Sequence, residues 1–336
     1  MRYPKSDHYD GEIFFNPEGT TSLVVPPDAH KRRRGGFIRM LRYRFIEGNY
    51  AKWPSHIPNK PWPLPAGPIN DGEVSVTFIG HASFLIRLPG LTILTDPVFS
   101  ARCSPVQWAG PKRARAPGIK LADLPKPDLI LLSHNHYDHM DLLSLRALAK
   151  RFGRIPIITM LGNRDYLASK GIHGATELDW WQHHSHGEAH ITITPSRHFA
   201  ARGLNDRNHA LWGGFMLVHR GHKIYFAGDT GYTKYFTDIR ERCGAPDLAF
   251  LPIGAYEPRW FMGPVHMNPQ DAVMAFADLG AKQAIGMHFG TFQLTEEAID
   301  APERDLAIAR DNAGMAADQF VTLDFGETRL FNMPAP

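Results

Sequence analysis

Two cysteines in 336 residues, Cys103 and Cys243, are too few for a disulfide framework and lie in no Cys-x-x-Cys spacing that would make a thiolate zinc site. Reduced, buried thiols are the reading. No run of about 18 apolar residues occurs, which excludes a conventional membrane-spanning helix. Met1 to Glu12 is polar and charged where a secretory signal needs an apolar core. An excess of one charge is missing too. Thirty-seven Lys and Arg against 34 Asp and Glu leave a net +3, too little to imply a nucleic-acid partner. No short-period repeat stands out. These absences lead us to expect a cytoplasmic protein, peripheral to a membrane at most.

What is present is an ordinary globular composition, 43% hydrophobic and 21% charged, long enough for a sizeable core. Residues 1–70 differ from the rest. They carry Lys31-Arg32-Arg33-Arg34, then Phe37, Leu41 and Phe45 at helical spacing beside Arg39, Arg42 and Arg44, and five prolines between Ile57 and Pro68. Proline at that density holds neither a regular helix nor a central strand. We therefore expect an N-terminal arm and Pro-rich linker over 1–70, not a separate domain, and one catalytic-size domain over 71–336. Residues 31–46 read either as an interfacial helix touching a membrane or as an arm helix packed on the core.

From residue 74 the pattern turns to short β-rich runs: Val74 to Leu88, Leu91 to Thr95, Asp128 to Ser133, Ile155 to Met160, His190 to Pro195, Leu211 to His219, Lys223 to Ala227, Leu248 to Ile253 and Gln283 to Met287. Leu142, Leu145, Leu148 and Phe152 space a helix over Asp141 to Phe152 that stops at Gly153. Asn268 and Pro269 open a second helix, with Val273 and Phe276 on its apolar face and Gly280 at its end. Mixed strands and helices predict a layered α/β body.

The chemistry concentrates at strand ends. His134, His136, Asp138 and His139 follow the buried-strand run Leu129-Ile130-Leu131-Leu132-Ser133. Alternate side chains of extended backbone share a side, so His134 and His136 converge on one ion while Asp138 and His139 reach a second position. A chance His-x-His-x-Asp-His arises in only about a few such chains per thousand. His198, Asp229 and His288 each lie just past another predicted strand, where open α/β sheets place ligands. Taken alone each is a capping or core residue as readily as a ligand; together they complete a count. His134, His136, His198 and Asp229 would hold one ion; Asp138, His139, His288 and the bridging Asp229 the other. Imidazole with carboxylate suits zinc, and iron or manganese as alternatives, better than magnesium or calcium. Two such ions about 3.5–4 Å apart bring a bridging water near neutrality and hold a phosphate against it. Asp138 and Asp229 are thus catalytic as well as ligating. Asp96, in Thr95-Asp96-Pro97, is either a carboxylate steadying a ligand imidazole or a plain Asp-Pro turn.

These residues resemble the metallo-beta-lactamase superfamily. Thr95-Asp96-Pro97, Gly110-Pro111-Lys112-Arg113, Leu178-Asp179-Trp180-Trp181, Gly228-Asp229-Thr230-Gly231-Tyr232, Pro252 to Met262 and His288 with Gly290-Thr291-Phe292 are similar to the N-acylphosphatidylethanolamine-hydrolysing phospholipase D family. The resemblance spans roughly residues 75 to 325. It implies a four-layer alpha-beta/beta-alpha sandwich, two zinc ions, a homodimer, and hydrolysis of N-acylphosphatidylethanolamine to N-acylethanolamine and phosphatidic acid. Its substrate-side positions fall on Gln107, Tyr137 and His266, with Tyr256 and Arg259 near the phosphate. A loop histidine and a structural ion pair are the plainer readings of His266 and Arg259. Trp181 to His186 looks metal-like, yet the family uses no histidine there, and a solvated loop is expected.

The rivals are a soluble lactonase or small phosphodiesterase of the same superfamily, and a non-catalytic lipid-binding scaffold. No second nuclease domain or aromatic-basic stretch beyond the arm favours a ribonuclease.

Overall fold

The computed structural model describes residues 2–17, 48–63 and 67–333. The basic amphipathic stretch 31–46 lies outside the described residues. The chain forms β1 (Glu73–Gly80), β2 (Ser83–Leu88), β3 (Leu91–Thr95), β4 (Leu129–Leu132), α1 (Leu142–Phe152), β5 (Ile157–Met160), α2 (Arg164–Ser169), β6 (Ala175–Leu178), β7 (His183–His186), β8 (Ala189–Thr194), β9 (Gly214–His219) and β10 (His222–Phe226). Then follow α3 (Tyr235–Cys243), β11 (Leu248–Pro252), α4 (Arg259–Met262), α5 (Pro269–Leu279), β12 (Gln283–Met287), α6 (Ala301–Asn312), β13 (Phe320–Val321) and β14 (Thr328–Asn332).

One sheet runs β14-β1-β2-β3-β4-β5-β6 and the other β13-β12-β11-β10-β9-β8-β7. In each, three neighbouring pairs are antiparallel and three parallel. That matched plan is what a duplicated half would leave. The apolar run of β4 shows why the layers stack as they do. Successive side chains alternate between faces. Leu129 and Leu131 join the core between the sheets, and Ile130 and Leu132 pack with Leu145 and Leu148 of α1 on the outer face. All four are buried, so β4 has helix on one side and sheet on the other. Each such side chain contributes about 1.5–3 kcal/mol relative to exposure. On the far sheet Phe236, Ile239, Val273 and Phe276 of α3 and α5 close the fourth layer.

The helix signals act as expected. Asp141 caps α1, its carboxylate accepting from Leu143 N–H, and Gly153 ends it at φ 76°. Asn268 and Asp271 form a reciprocal capping box at α5, and Gly280 closes it in the left-handed region. Two expectations change, and the arm adds a contact. The run Val74 to Leu88 is two strands folded back at Gly80–Ala82, with His81 at φ 60° in the turn. Trp181 to His186 contains the edge strand β7, not only loop, because His184 and His186 pair with Ile191 and Ala189 and lie half-buried. The arm's first described segment reaches the main core: Phe14 is fully buried, and the His8 ring stacks on Trp180 at 4.4 Å between the carboxylates of Asp7 and Asp179. Asn16 Nδ2 donates to the His198 carbonyl at 2.9 Å, so the segment also steadies one expected ligand.

Candidate metal centre

Parallel pairing brings the chemistry to one edge. The β3–β4 register sets Thr95 beside Leu131, so Asp96 and Ser133 emerge together. The β10–β11–β12 registers do the same for the segments carrying Asp229, Ala255 and His288. Gly228 is required at φ 62°: a Cβ there would stand 2.8 Å from the Gly213 carbonyl oxygen and from Ser133 Cβ. The chain can then turn Asp229 toward the histidines following β4.

Two groups result. Side-chain donors of His134, His136, His198 and Asp229 lie within 4.8 Å of one another, as do those of His81, Asp138, His139 and His288. Asp229 Oδ2 sits between them, 3.1 Å from His139 Nε2, 3.2 Å from His288 Nε2, 3.7 Å from His198 Nε2 and 3.8 Å from His134 Nε2. All seven residues expected as ligands are therefore brought together, with Asp229 central.

The hydrogen bonds behind the imidazoles point their Nε2 atoms inward. Asp96, fully buried, accepts from His139 Nδ1 at 2.7 Å, from Ser133 N–H at 2.8 Å and from Ser133 Oγ at 2.6 Å. Ser133 Oγ, its own proton engaged, accepts from His134 Nδ1 at 3.0 Å. His198 Nδ1 donates to the Val265 carbonyl at 3.0 Å. With Nδ1 donating, Nε2 carries the lone pair that a metal needs. The structure thus gives Asp96 the steadying arrangement rather than that of a bare turn.

Several inward atoms lack full partners. The Nε2 lone pairs of His134 and His198 share the single proton that His136 Nδ1 can offer, at 2.9 Å and 3.2 Å, a place where a cation can take that proton's part. His139 Nε2, His288 Nε2 and Asp229 Oδ1 are buried without any hydrogen-bond partner. Nitrogen and oxygen donors so disposed fit divalent ions of the zinc type.

Electrostatics divide the histidines. Burial, with crowding by neighbouring imidazoles, holds His134 well below its ordinary 6.5, and burial brings His136 to about 4 and His198 to about 3, so these three are neutral. Burial also lowers His139 and His288, but Asp229 and Asp138 outweigh it, raising His139 well above 6.5 and His288 to about 9. A cation must displace protons from these two. Because their values are raised, the competing proton is present at low pH and lost as pH rises. Metal affinity is therefore expected to climb with pH up to about 9, with proton release on binding; calorimetry in buffers of different ionisation enthalpy measures it.

His81 is the residue that sequence reasoning missed. Its Nε2 donates to Asp138 Oδ2 at 2.9 Å, its carbonyl accepts from His288 N–H at 2.9 Å, and its ring lies 3.9 Å from that of His288. It braces one ligand from each side of the second group. The signal was Gly80-His81 inside an otherwise apolar run, where glycine marks a turn. His81→Phe is expected to weaken metal binding about 10–100-fold, read by chelator competition.

The centre opens into a cavity of about 440 Å3. His136, Asp138, Asp229 and His266 face it, and Tyr50, Phe199, Phe261, Met262, Val265 and Leu294 line the rest. Glu297 shapes one wall by accepting N–H bonds from Ala255, Tyr256 and Glu257. Of the substrate-side residues expected from sequence, only His266 lines the cavity. The other four do not line it, and their contacts lie elsewhere. Gln107 is exposed and exchanges hydrogen bonds with the Arg102 backbone. Tyr137 O–H donates to the Arg202 carbonyl while its ring lies under the Arg202 guanidinium. Tyr256 O–H is spent on Asp305 at 2.5 Å. Arg259 pairs with Asp271 at 2.5 Å and donates to the His266 carbonyl at 3.1 Å, the structural ion pair that was the plainer reading.

The family model described as a beta-lactamase superfamily domain matches residues 92–289. The chain belongs to the beta-lactamase superfamily. Within it, the chain is 34% identical to the N-acyl-phosphatidylethanolamine-hydrolyzing phospholipase D 1 of Caenorhabditis elegans, over 95% of this chain and 92% of that protein. It is 38% identical to the mitochondrial N-acyl-phosphatidylethanolamine-hydrolyzing phospholipase D of Saccharomyces cerevisiae, over 76% of this chain and 56% of that one. Among solved structures, the isothiocyanate hydrolase from Delia radicum gut bacteria superposes with a TM-score of 0.62 at 22% identity, covering 77% of this chain and 99% of that one, a likeness of fold. The four-layer sandwich is thus the superfamily fold, and the chain is a metal-dependent hydrolase. No helix among the described residues is long and apolar enough to cross a membrane.

Proposed function

We propose that this metallohydrolase is a two-metal phosphodiesterase of the phospholipase D type, which hydrolyses N-acylphosphatidylethanolamine to N-acylethanolamine and phosphatidic acid. The observation that carries the two-metal part is the position of Asp229 Oδ2 between two imidazole groups, 3.1–3.8 Å from four Nε2 atoms. A carboxylate so placed serves two ions. His134, His136 and His198 would hold one, Asp138, His139 and His288 the other, and zinc suits the donors best, ahead of iron or manganese. Such ions supply Lewis acidity to a phosphoryl oxygen and lower the pKa of water toward neutrality.

The chain's own residues do the rest. Asp138, steadied by His81, and Asp229, steadied by its burial among imidazoles, fix the donor positions. His266 is held neutral by burial, with Nδ1 unpartnered, so it offers the substrate a hydrogen bond rather than a charge. The aromatic and aliphatic lining beside the centre accepts an acyl or glyceride chain and excludes water. Support for the lipid comes from that lining and from the relatives' names; contact with a membrane through residues 31–46 and a homodimer belong to the same proposal.

Purified protein assayed on N-acylphosphatidylethanolamine vesicles, a lactone panel and bis(p-nitrophenyl) phosphate tests the reading. Turnover of both diesters is expected; turnover of lactones alone would overturn it.

A further inference from the structure

Among the described residues, the cavity lining contains one arginine or lysine, Arg207. It belongs to the loop that follows His198, and its neighbours are spent on closing that loop. Asp206 accepts from Arg202 N–H at 3.0 Å and Gly203 N–H at 2.7 Å; Asn208 donates from its backbone to the Ala200 carbonyl at 2.7 Å and accepts from Phe14 N–H at 2.8 Å. Arg207, between them, lines the cavity and is exposed to solvent. Its guanidinium carbon lies 4.1 Å from the centroid of Phe199. The same Phe199 ring stands 4.5 Å from that of His136. One phenyl ring therefore separates the cation from an expected metal ligand.

The guanidinium makes no hydrogen bond or ion pair with any described residue. Arg202, five positions earlier, shows the usual alternative: it donates to the carbonyls of Asn135 and Met140 and lies over Tyr137. Glu257, the acidic lining residue outside the ligand set among the described residues, accepts from Arg259 N–H and does not pair with Arg207. Packing around the side chain lowers the Arg207 value from 12.5, yet the residue stays exposed to solvent and remains a cation. Five donors stacked on Phe199 and left without a protein acceptor among the described residues are open to an anion.

We propose that Arg207 binds a non-bridging oxygen of the substrate phosphodiester and gives the cavity its preference for anionic phosphodiesters over neutral esters. The proposal rests on the phosphodiesterase reading and names the residue that would discriminate by charge. Two probes of similar shape separate the contributions: bis(p-nitrophenyl) phosphate, an anion, and diethyl p-nitrophenyl phosphate, a neutral triester. In R207Q, kcat/KM for the anion is expected to fall about 10- to 100-fold, with the triester rate and metal content unchanged; R207K recovers part of the loss. Binding of dibutyl phosphate to the metal-loaded protein, measured by calorimetry, is expected to weaken by a similar factor. If the wild type cleaves no diester, the phosphodiesterase reading falls, yet weakened dibutyl phosphate binding in R207Q still establishes the anion site. Equal losses on both esters, unchanged dibutyl phosphate affinity, or no binding by the wild type overturns the role of Arg207.

Discussion

Asp229→Ala is expected to lower kcat/KM by at least about 10^3-fold and to reduce bound metal, while the protein keeps its fold. Among the described residues the carboxylate is the one group placed toward both imidazole clusters, so its loss removes a donor from each. Several kcal/mol of charge stabilisation are at stake in a two-metal centre, and each 1.36 kcal/mol is tenfold in rate. The fold survives for an electrostatic reason. Asp229 is the main carboxylate holding His139 and His288 protonated against burial; without it these imidazoles shed their protons instead of remaining as unpaired buried charges. Metal analysis, steady-state kinetics and circular dichroism of the variant check the three parts. Full activity would refute the assignment of Asp229.

Asp96→Ala is expected to damage both the metal centre and the fold. The side chain is fully buried and serves three donors: His139 Nδ1, Ser133 N–H and Ser133 Oγ. An abandoned buried donor costs about 1–3 kcal/mol, and water entering the gap recovers some of that, so a loss of about 2–5 kcal/mol in unfolding free energy is expected. Freed of Asp96, His139 loses its fixed tautomer, and Ser133 loses the proton acceptor that lets it order His134. Metal affinity is expected to fall about 10–100-fold. Denaturant melts with and without metal, with chelator competition, separate the two effects. A residue that only made an Asp-Pro turn would lower stability and leave the metal affinity of the folded protein unchanged.

The sequence shows the centre more clearly than the cavity, and the reason is geometric. His134, Asp229 and His288 follow strands whose buried runs are visible in one dimension, and parallel pairing carries such ends to one edge of a sheet. His81 follows a strand as well, but Val74 to Leu88 is apolar enough to hide the turn at Gly80. His183 to His186 reads as polar loop because an edge strand needs only one half-buried face. Substrate contacts depend on where loop side chains point, and that is decided by partners far along the chain. Tyr256 faces Asp305, Arg259 faces Asp271, and Gln107 turns back on Arg102. Conversely, Arg207 and Tyr50 carry no motif, and only folding brings them to the cavity. Phe14 of the arm reaches the core for the same reason, through a strand-like bridge at Tyr9 and Phe14 rather than any regular element.

The central claim is that water attacks phosphorus in a diester at a two-metal site. The most direct measurement is hydrolysis of N-acylphosphatidylethanolamine vesicles in oxygen-18 water, with the products resolved by mass spectrometry. One labelled oxygen in the phosphate of phosphatidic acid, unlabelled N-acylethanolamine and loss of both products on chelation are the expected result. Label in a free fatty acid, or no cleavage of the diester by metal-loaded protein, would contradict it.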